Sequence, residues 1–215
     1  MKNILLIFTF LLSTSLFAQS GSVYFFNFTL DPELTDYIKV ENKSKQWFSG
    51  WSESQAMPDE IVDSIKSKTE TAFSNKLDIP VTMCYRTNKK GENLGSAGVF
   101  GALEGMPDNT FNKGKEDCPD ATQYIYFSVQ IYAAGGTSIT MVDKKSKLKP
   151  KLQLTVKVLD ADKKKLWENK VVIKDFEKLR STTKFYGAKE VTTSETLTPY
   201  DIYAMFLMGL EELCL

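Results

Sequence analysis

The chain has 215 residues and no histidine, and its 27 Lys and Arg residues balance 27 Asp and Glu residues. The absence of histidine excludes imidazole-activated Ser or Cys nucleophiles, His general bases and imidazole zinc sites. A net charge of zero gives no reason to expect nucleic acid as a partner, because phosphate binding requires a basic excess. Apolar and charged fractions of 42% and 25% are typical of a globular chain.

The N-terminus has the order of a secretory signal peptide. Lys2 precedes an apolar run from Ile4 to Leu12, which is too short to cross a bilayer, and Ala18 offers a small residue for cleavage. We expect residues 1–18 to be a signal peptide and residues 19–215 to be one domain that is periplasmic or secreted. No later apolar run has the length of an integral membrane span, so none is expected in the mature chain.

The first half of the mature chain predicts two strands and a helix. Residues 22–28 are rich in aromatic side chains and predict a strand. Residues 58–76 predict a helix, because Pro58 and the acids after it suit a first turn and apolar residues follow at helical spacing. Residues 81–87 alternate and predict the second strand. A long glycine-rich loop over residues 88–120 follows.

The second half of the chain predicts further strands. Residues 124–132 show the cleanest period of two and predict a half-buried strand, which Gly135–Gly136 is expected to end. The Lys-rich residues 144–151 are interpreted as a short basic run between strands, a solvated hairpin end in preference to an anion site. Residues 152–158 and 166–174 alternate on either side of a turn and predict a hairpin.

Residues 176–197 predict an irregular segment. Thr198 then begins a final helix, with Thr as the cap and Asp201 three residues on. Because apolar residues occupy one side of each later strand, we expect a sheet that is hydrated on one face and covered by both helices on the other. The sequence therefore predicts an α+β fold of two layers, a mostly antiparallel sheet with two helices packed on one face.

Three cysteines in an exported chain permit at most one internal disulfide. Cys84 is expected on the polar side of its strand, and Cys118 enters the neighbouring strand from the loop. Cys214 is expected on a helix against the opposite face of the sheet. The favoured pair is therefore Cys84 with Cys118, and three unpaired thiols are the alternative.

Tyrosines on the hydrated face are the first candidate contact site. Tyr124, Tyr126 and Tyr132 alternate along one predicted strand, and Lys151 and Lys157 are expected on the same face. Flat aromatic rings framed by polar groups suit contact with carbohydrate or protein. Ordinary packing beneath the irregular segment that carries Trp47 and Trp51 is the alternative.

The glycine-rich loop is the second candidate contact site. It places Phe100 and Leu103 among four glycines, and such loops sometimes meet partners or lipid; an adaptable connection is the alternative. Asp108 begins an incomplete calcium loop, and Ser181 to Lys184 matches S-x-x-K without a K-T-G element. No catalytic set, cofactor or metal site is therefore predicted.

The order of elements, with a hairpin KLQLTVKVLDADKKKLWENKVVI and a helix opened by Thr198-Pro199-Tyr200-Asp201, resembles small exported α+β domains of the bacterial cell envelope. Such domains occur in auxiliary lipoproteins of envelope transport and assembly systems and in relatives of unknown function. Their hairpin often carries a turn acid and a Leu–Trp pair, matched here by Asp160 or Asp162 and Leu166–Trp167. This chain departs by lacking a lipid-bearing Cys and by its longer glycine loop. The resemblance implies a non-catalytic envelope protein.

We expect an exported cell-envelope protein with a non-catalytic binding or assembly role, whose partner is another envelope protein or a glycan. The alternative from another class is a hydrolase that acts on glycan or peptidoglycan through carboxylates. Its candidate acids are Asp31, Glu33, Asp36, Asp59, Glu60 and Asp63. A carrier of an apolar ligand is a third hypothesis and requires a cavity between helices and sheet.

Overall fold

The structure is a computed structural model that describes residues 19–35, 37, 57–96, 103–186 and 189–215. The strands there are β1 (Gly21–Leu30), β2 (Val81–Met83), β3 (Arg86–Thr87), β4 (Asn93–Leu94), β5 (Gln123–Ile139), β6 (Asp143–Asp160), β7 (Lys165–Ile173), β8 (Leu179–Tyr186) and β9 (Lys189–Ser194). The helices are α1 (Pro32–Thr35), α2 (Asp59–Leu77), α3 (Phe111–Asp117) and α4 (Pro199–Cys214). The predicted signal peptide, Trp47, Trp51 and Phe100 lie outside the described residues.

Seven strands form one mixed sheet, in which six follow the order β2-β1-β5-β6-β8-β9 and β7 pairs with β6 off this path. Strand β6 is long enough to pair with β8 through residues 143–148 and with β7 through residues 152–159. Strand β1 runs parallel to β2 and β5, and the other pairs of this sheet are antiparallel. Strands β3 and β4 form a separate small ladder. The predicted α+β class with a mostly antiparallel sheet is confirmed.

Helices α2 and α4 cover one face of this sheet. Phe73 of α2 meets Phe127 of β5 edge-on, with ring centroids 5.0 Å apart, and Phe206 of α4 lies 5.9 Å from Phe28 of β1. Every second residue over 125–131 of β5 and 152–158 of β6 is buried beneath the helices, and each such side chain contributes about 1.5–3 kcal/mol. These residues are Ile125, Phe127, Val129, Ile131, Leu152, Leu154, Val156 and Val158. The predicted two-layer arrangement is confirmed.

The two covering helices lie side by side and run in the same direction. Near their starts the Tyr200 hydroxyl donates to Glu60 at 3.4 Å, and near their ends Lys76 Nζ donates to the Leu215 carbonyl at 3.2 Å. Helix α4 begins with the predicted capping box, in which Thr198 and Asp201 satisfy each other's backbone N–H groups.

The predicted strand end at Gly135–Gly136 is wrong. Strand β5 continues through both glycines to Ile139, and β6 begins at Asp143, so the Lys-rich run lies within a strand that starts at an exposed hairpin end, and not between strands. A Cβ atom at Gly135 would lie 2.0 Å from the Lys147 carbonyl oxygen. Glycine therefore permits a close approach of the two backbones at this point and does not interrupt their pairing.

The predicted irregular segment over residues 176–197 is also wrong, because it contains β8 and β9. These strands carry few apolar side chains, so the period-two signal that reveals a half-buried strand is absent from their sequence. Their ladder instead aligns hydroxyl residues, with Thr182 opposite Thr193 and Ser181 opposite Ser194. Such cross-strand Thr pairs stabilise a sheet in which both faces are polar.

The face of the sheet opposite the two long helices is dry at one end. There α3 packs Phe111 edge-on against Tyr24 and Tyr124, at centroid distances of 5.8 and 5.3 Å. Cys84 and Cys118 are joined beside these rings, with Cα atoms 6.2 Å apart, and this is the pair that the sequence favoured. The expectation of a hydrated face is therefore wrong at this end, since a short helix within the predicted loop covers it.

Removing the disulfide should destabilise the protein strongly. Cys84 and Cys118 are 34 residues apart, and a cross-link that closes such a loop contributes about 3–4 kcal/mol by restricting the unfolded chain. We predict that Cys84→Ala with Cys118→Ala lowers the free energy of unfolding in urea by about that amount. The control Cys214→Ala changes a free, half-buried thiol and should cost about 1 kcal/mol or less. Equal losses in the two variants would contradict the prediction.

Candidate functional site: the cationic face of the sheet

Beyond α3, the face opposite the long helices carries a concentration of positive charge. Cross-strand partners share one face of a sheet, as do alternate residues of one strand. The register aligns Arg180 with Lys147, and Lys184 with Asp143, on the face that alternate lysines of β6 occupy. We name these seven side chains the cationic face: Lys145, Lys147, Lys149, Lys151, Lys157, Arg180 and Lys184.

The spacing of these cations follows from strand geometry. Alternate residues of a strand are about 6.6–6.8 Å apart, so the row from Lys145 to Lys151 spans about 20 Å. Arg180 and Lys184 stand on the neighbouring strand, about 4.8 Å to the side of that row. The result is a band of cations that could meet several negative groups of an extended ligand at once.

Few carboxylates neutralise this band. Lys145 pairs with Asp143 at 3.0 Å, and Lys149 lies 3.9 Å from the exposed Asp175. Glu168 stands opposite Lys157 in the β6–β7 ladder, and the Glu195 carboxylate accepts the Arg180 backbone N–H at 2.8 Å. The Thr140 hydroxyl donates to Asp143, and this hydrogen bond, with that from Lys145, holds the pKa of Asp143 below its usual range. The face therefore keeps a positive excess, although the whole chain is neutral.

Half-buried aromatic rings adjoin the cations. Lys151 Nζ lies 5.8 Å from the ring centroid of Tyr132, within the range of a cation–π contact. Tyr126 stacks on Phe25 with a centroid distance of 4.7 Å, which fixes the orientation of both rings. A side-chain amide pair, Gln153 to Gln130 at 3.2 Å, lies on the same face. Rings, amides and cations are thus presented together on one side of the sheet.

A shallow groove crosses the cationic face where the strands carry glycine. It has a volume of about 510 Å³, and Gly136, Lys145, Lys147 and Arg180 line it together with neighbouring Ser and Thr residues. A Cβ atom at Gly136 would meet no atom within 4 Å. The missing side chain therefore leaves open space between the cations.

The residues predicted as contact sites differ in their exposure to solvent. Tyr126 and Tyr132 are partly exposed, but Tyr124 is 1% exposed and Leu103 is 2% exposed, so neither of these two can touch a ligand on the surface. Tyr124 packs under α3, its hydroxyl donates to the Cys118 carbonyl at 3.3 Å, and burial raises its pKa. The expectation that Tyr124 lies on an open face is wrong. Phe100 lies outside the described residues.

The spacing of lysines in the sequence pointed to the cationic face, but the strand pairing that completes this face could not be read from the sequence. Lys145, Lys147, Lys149 and Lys151 occur at every second position, which is the period of a strand. Interpreting that run as a connection removed the reason to place the four side chains on one face. Arg180 and Lys184 join them only through the pairing of β6 with β8, which sequence reasoning did not predict.

The carboxylates of the hydrolase hypothesis have local structural partners. Asp31 accepts the backbone N–H groups of Glu33 and Ala133, at 2.9 and 3.2 Å. Glu60 accepts from Tyr200, and Asp63 lies 3.8 Å from Lys66. Asp36 lies outside the described residues. Among the side chains whose burial is described, the buried polar ones are Ser22, Thr69, Asn109 and Ser128, and none of these is a carboxylate.

Comparisons with known proteins add little. No family model matches the chain, and no curated protein matches it. A solved structure from Helicobacter pylori, of a protein proposed to be a neuraminyllactose-binding hemagglutinin homolog, is similar over 90% of this chain and 77% of its own, with 7% identity and a TM-score of 0.32. The structure of the hypothetical protein CT253 from Chlamydia trachomatis is similar over 91% of this chain and 92% of its own chain, with 8% identity and a TM-score of 0.29. At such scores neither likeness supports an argument about function.

No helix in the described ranges is both long and apolar enough to cross a membrane.

A matched pair of glycine variants tests the close approach of the β5 and β6 backbones beneath the groove. Gly135→Ala should force the backbones of β5 and β6 apart at Lys147, at a cost of about 1–3 kcal/mol. We predict that amide hydrogen exchange around residues 137–139 and 144–147 accelerates by about tenfold or more. Gly136→Ala places its methyl group in open space and should leave exchange nearly unchanged. Identical exchange rates in the two variants would show that the backbones of β5 and β6 do not approach each other as closely at Gly135 as described.

Proposed function

We propose that this protein is an exported, non-catalytic binding protein of the bacterial cell envelope, periplasmic or secreted, and that its cationic face binds an anionic glycan. The observation that carries the proposal is the gathering of seven cations on one face of a chain whose net charge is zero. The N-terminal pattern of Lys2, an apolar run and Ala18 supports export. The resemblance to envelope domains supports the location.

A polyanion suits this face better than a compact ligand does. The row from Lys145 to Lys151 is about 20 Å long, Lys157 lies about 20 Å further along β6, and the cations form no closed pocket, so each could meet a separate acidic group along a chain. Clustered charges of one sign raise the local concentration of ligands of the opposite sign and speed their association. Each exposed contact is worth only about 0.2–1 kcal/mol, and affinity would come from several such contacts together.

The aromatic and amide groups favour a sugar among polyanions. The rings of Tyr126 and Tyr132 present apolar faces on which the C–H face of a sugar can pack, while Gln130 and Gln153 can exchange hydrogen bonds with hydroxyl groups. Phe25 and Lys151 hold the two tyrosine rings in place. A ring that is fixed before binding loses little side-chain entropy when the ligand arrives.

Charge reversal on the face is the sharpest test of glycan binding. We predict that the exported protein binds polygalacturonate, a polymer of carboxylated sugars, but not neutral dextran. Lys147→Glu with Arg180→Glu should weaken that affinity at least about tenfold, because two attractive contacts become repulsive. The measurement is isothermal titration calorimetry at two salt concentrations, and the affinity of the unaltered protein should fall as salt rises.

The matched control carries the same change of charge elsewhere. Lys89→Glu with Lys90→Glu alters two exposed lysines in the turn between β3 and β4 and should leave the affinity nearly unchanged. Tyr132→Leu keeps an apolar side chain but removes the ring, and it should weaken binding several-fold. If both charge-reversed variants lose affinity equally, or if single-stranded DNA binds more tightly than polygalacturonate, the proposal of a glycan face is wrong.

Export is tested by the N-terminus of protein recovered from outside the cytoplasm. We predict that its intact mass corresponds to a chain that begins at Gln19. Leu6→Lys places a charge within the apolar run and should leave the uncleaved chain in the cytoplasm, whereas Asn3→Lys keeps the positive start and should be exported normally. Export of the Leu6→Lys variant at the normal level would contradict the assignment of residues 1–18.

A further inference from the structure

The far end of the sheet exposes apolar side chains that pack against nothing described. At the hairpin between β5 and β6, Met141 is 99% exposed, Ile139 70% and Val142 68%. At the adjacent end of β8, Tyr186 is 60% exposed. The Phe185 N–H donates to the Val142 carbonyl at 3.0 Å, which holds the end of β8 beside the hairpin. We name these four exposed side chains the apolar tip.

Cations stand directly behind the apolar tip. Lys144 and Lys145 follow the hairpin in β6, and Lys184 precedes Phe185 in β8 opposite Asp143. Asp143 is paired with Lys145 at 3.0 Å and accepts the Thr140 hydroxyl at 2.7 Å, so the acid nearest the tip is already neutralised. An apolar end with a cationic collar matches the two layers of an anionic membrane surface, phosphate groups outside and acyl chains within.

Backbone polar groups of the hairpin form hydrogen bonds within the protein, which suits a poorly hydrated environment. The Thr140 N–H donates to the Asp143 carbonyl at 2.7 Å, and the N–H groups of Val142 and Asp143 donate to the Thr140 hydroxyl at 3.3 and 3.0 Å. The Val142 carbonyl accepts from Phe185. Because these groups are paired within the protein, moving them out of water leaves few hydrogen bonds unmade.

We propose that the apolar tip docks onto the surface of an anionic lipid bilayer, with Ile139, Met141, Val142 and Tyr186 entering the boundary between headgroups and acyl chains and Lys144 and Lys184 contacting lipid phosphates. Interfacial amphipathic helices bury their apolar face about 5–10 Å into that boundary, and we expect the side chains of the apolar tip to reach a similar depth. The proposal depends on the apolar tip, which the glycan proposal does not use, and it shares only Lys184 with the cationic face. It would hold the cationic face beside a membrane.

Vesicle binding by a matched pair of methionine variants tests the proposal. The full chain is expressed, and its exported form is sedimented with vesicles of phosphatidylcholine alone or of phosphatidylcholine and phosphatidylglycerol in equal parts. We expect binding only to the anionic vesicles. Met141→Asp should weaken it at least about tenfold, because it removes an inserted side chain and adds a charge. Met208→Asp makes the same change at an exposed position of α4 and should bind within twofold of the unaltered protein.

A reporter variant tests insertion itself. Met141→Trp keeps a side chain suited to the interface and should bind at least as tightly as the unaltered protein. On addition of anionic vesicles its fluorescence should shift to the blue and be quenched by lipids brominated in the acyl chain. A variant that binds vesicles without blue shift or quenching would show contact without insertion and would overturn the proposal.

Two further results would overturn it in favour of another occupant. If Lys147→Glu with Arg180→Glu abolishes vesicle binding while Met141→Asp does not, lipids meet the cationic face and not the tip. If Met141→Asp alters the sedimentation coefficient of the protein in the absence of lipid while vesicle binding stays normal, the tip contacts a second copy of the chain. Loss of polygalacturonate binding bears only on the proposed function, so the two proposals fail separately.

Discussion

The antiparallel pairing of β5 with β6 is the constraint on which the rest of the structure depends. It runs without a register shift from Gln123 opposite Asp160 to Ile139 opposite Lys144. Because side chains alternate between faces, this single register places Phe127 and Val156 under the helices and the odd-numbered lysines of β6, from Lys145 onward, on the opposite face. A slip by one residue would bury lysines and expose the core, so apolar burial at one end fixes the arrangement of charge at the other.

The same ladder passes through three environments along its length. Near its start, α3 and the Cys84–Cys118 bond cover the face that carries Tyr124. In the middle, that face presents Tyr126, Tyr132 and the cations. At the far end the strands leave the helices, and their hairpin exposes Met141. Stability thus comes from one part of the two strands, and the surfaces proposed to bind glycan and lipid lie on the other parts.

Sequence reasoning succeeded where burial imposes a pattern. The alternation of residues 124–132 and 152–158 and the Thr198–Asp201 cap predicted core strands and a helix that the structure contains. It failed where pairing alone makes a strand, as in β8 and β9, whose polar side chains carry no period that distinguishes strand from loop. Gly135 misled for a different reason, since one glycine can mark either a turn or a close approach of backbones, and only the neighbouring strand decides which.

The net charge of the chain did not reveal the cationic face for a related reason. Equal numbers of acids and bases describe the chain, but they do not describe how a sheet sorts them between faces. Nuclear Overhauser effects across the strands report that sorting. Cross-strand proton contacts between Gly136 and Lys147, and between Lys147 and Arg180, are the expected result. Contacts that pair Gly136 with Ser146 or Leu148 would place the lysines on the opposite face and would contradict both the cationic face and the function proposed for it.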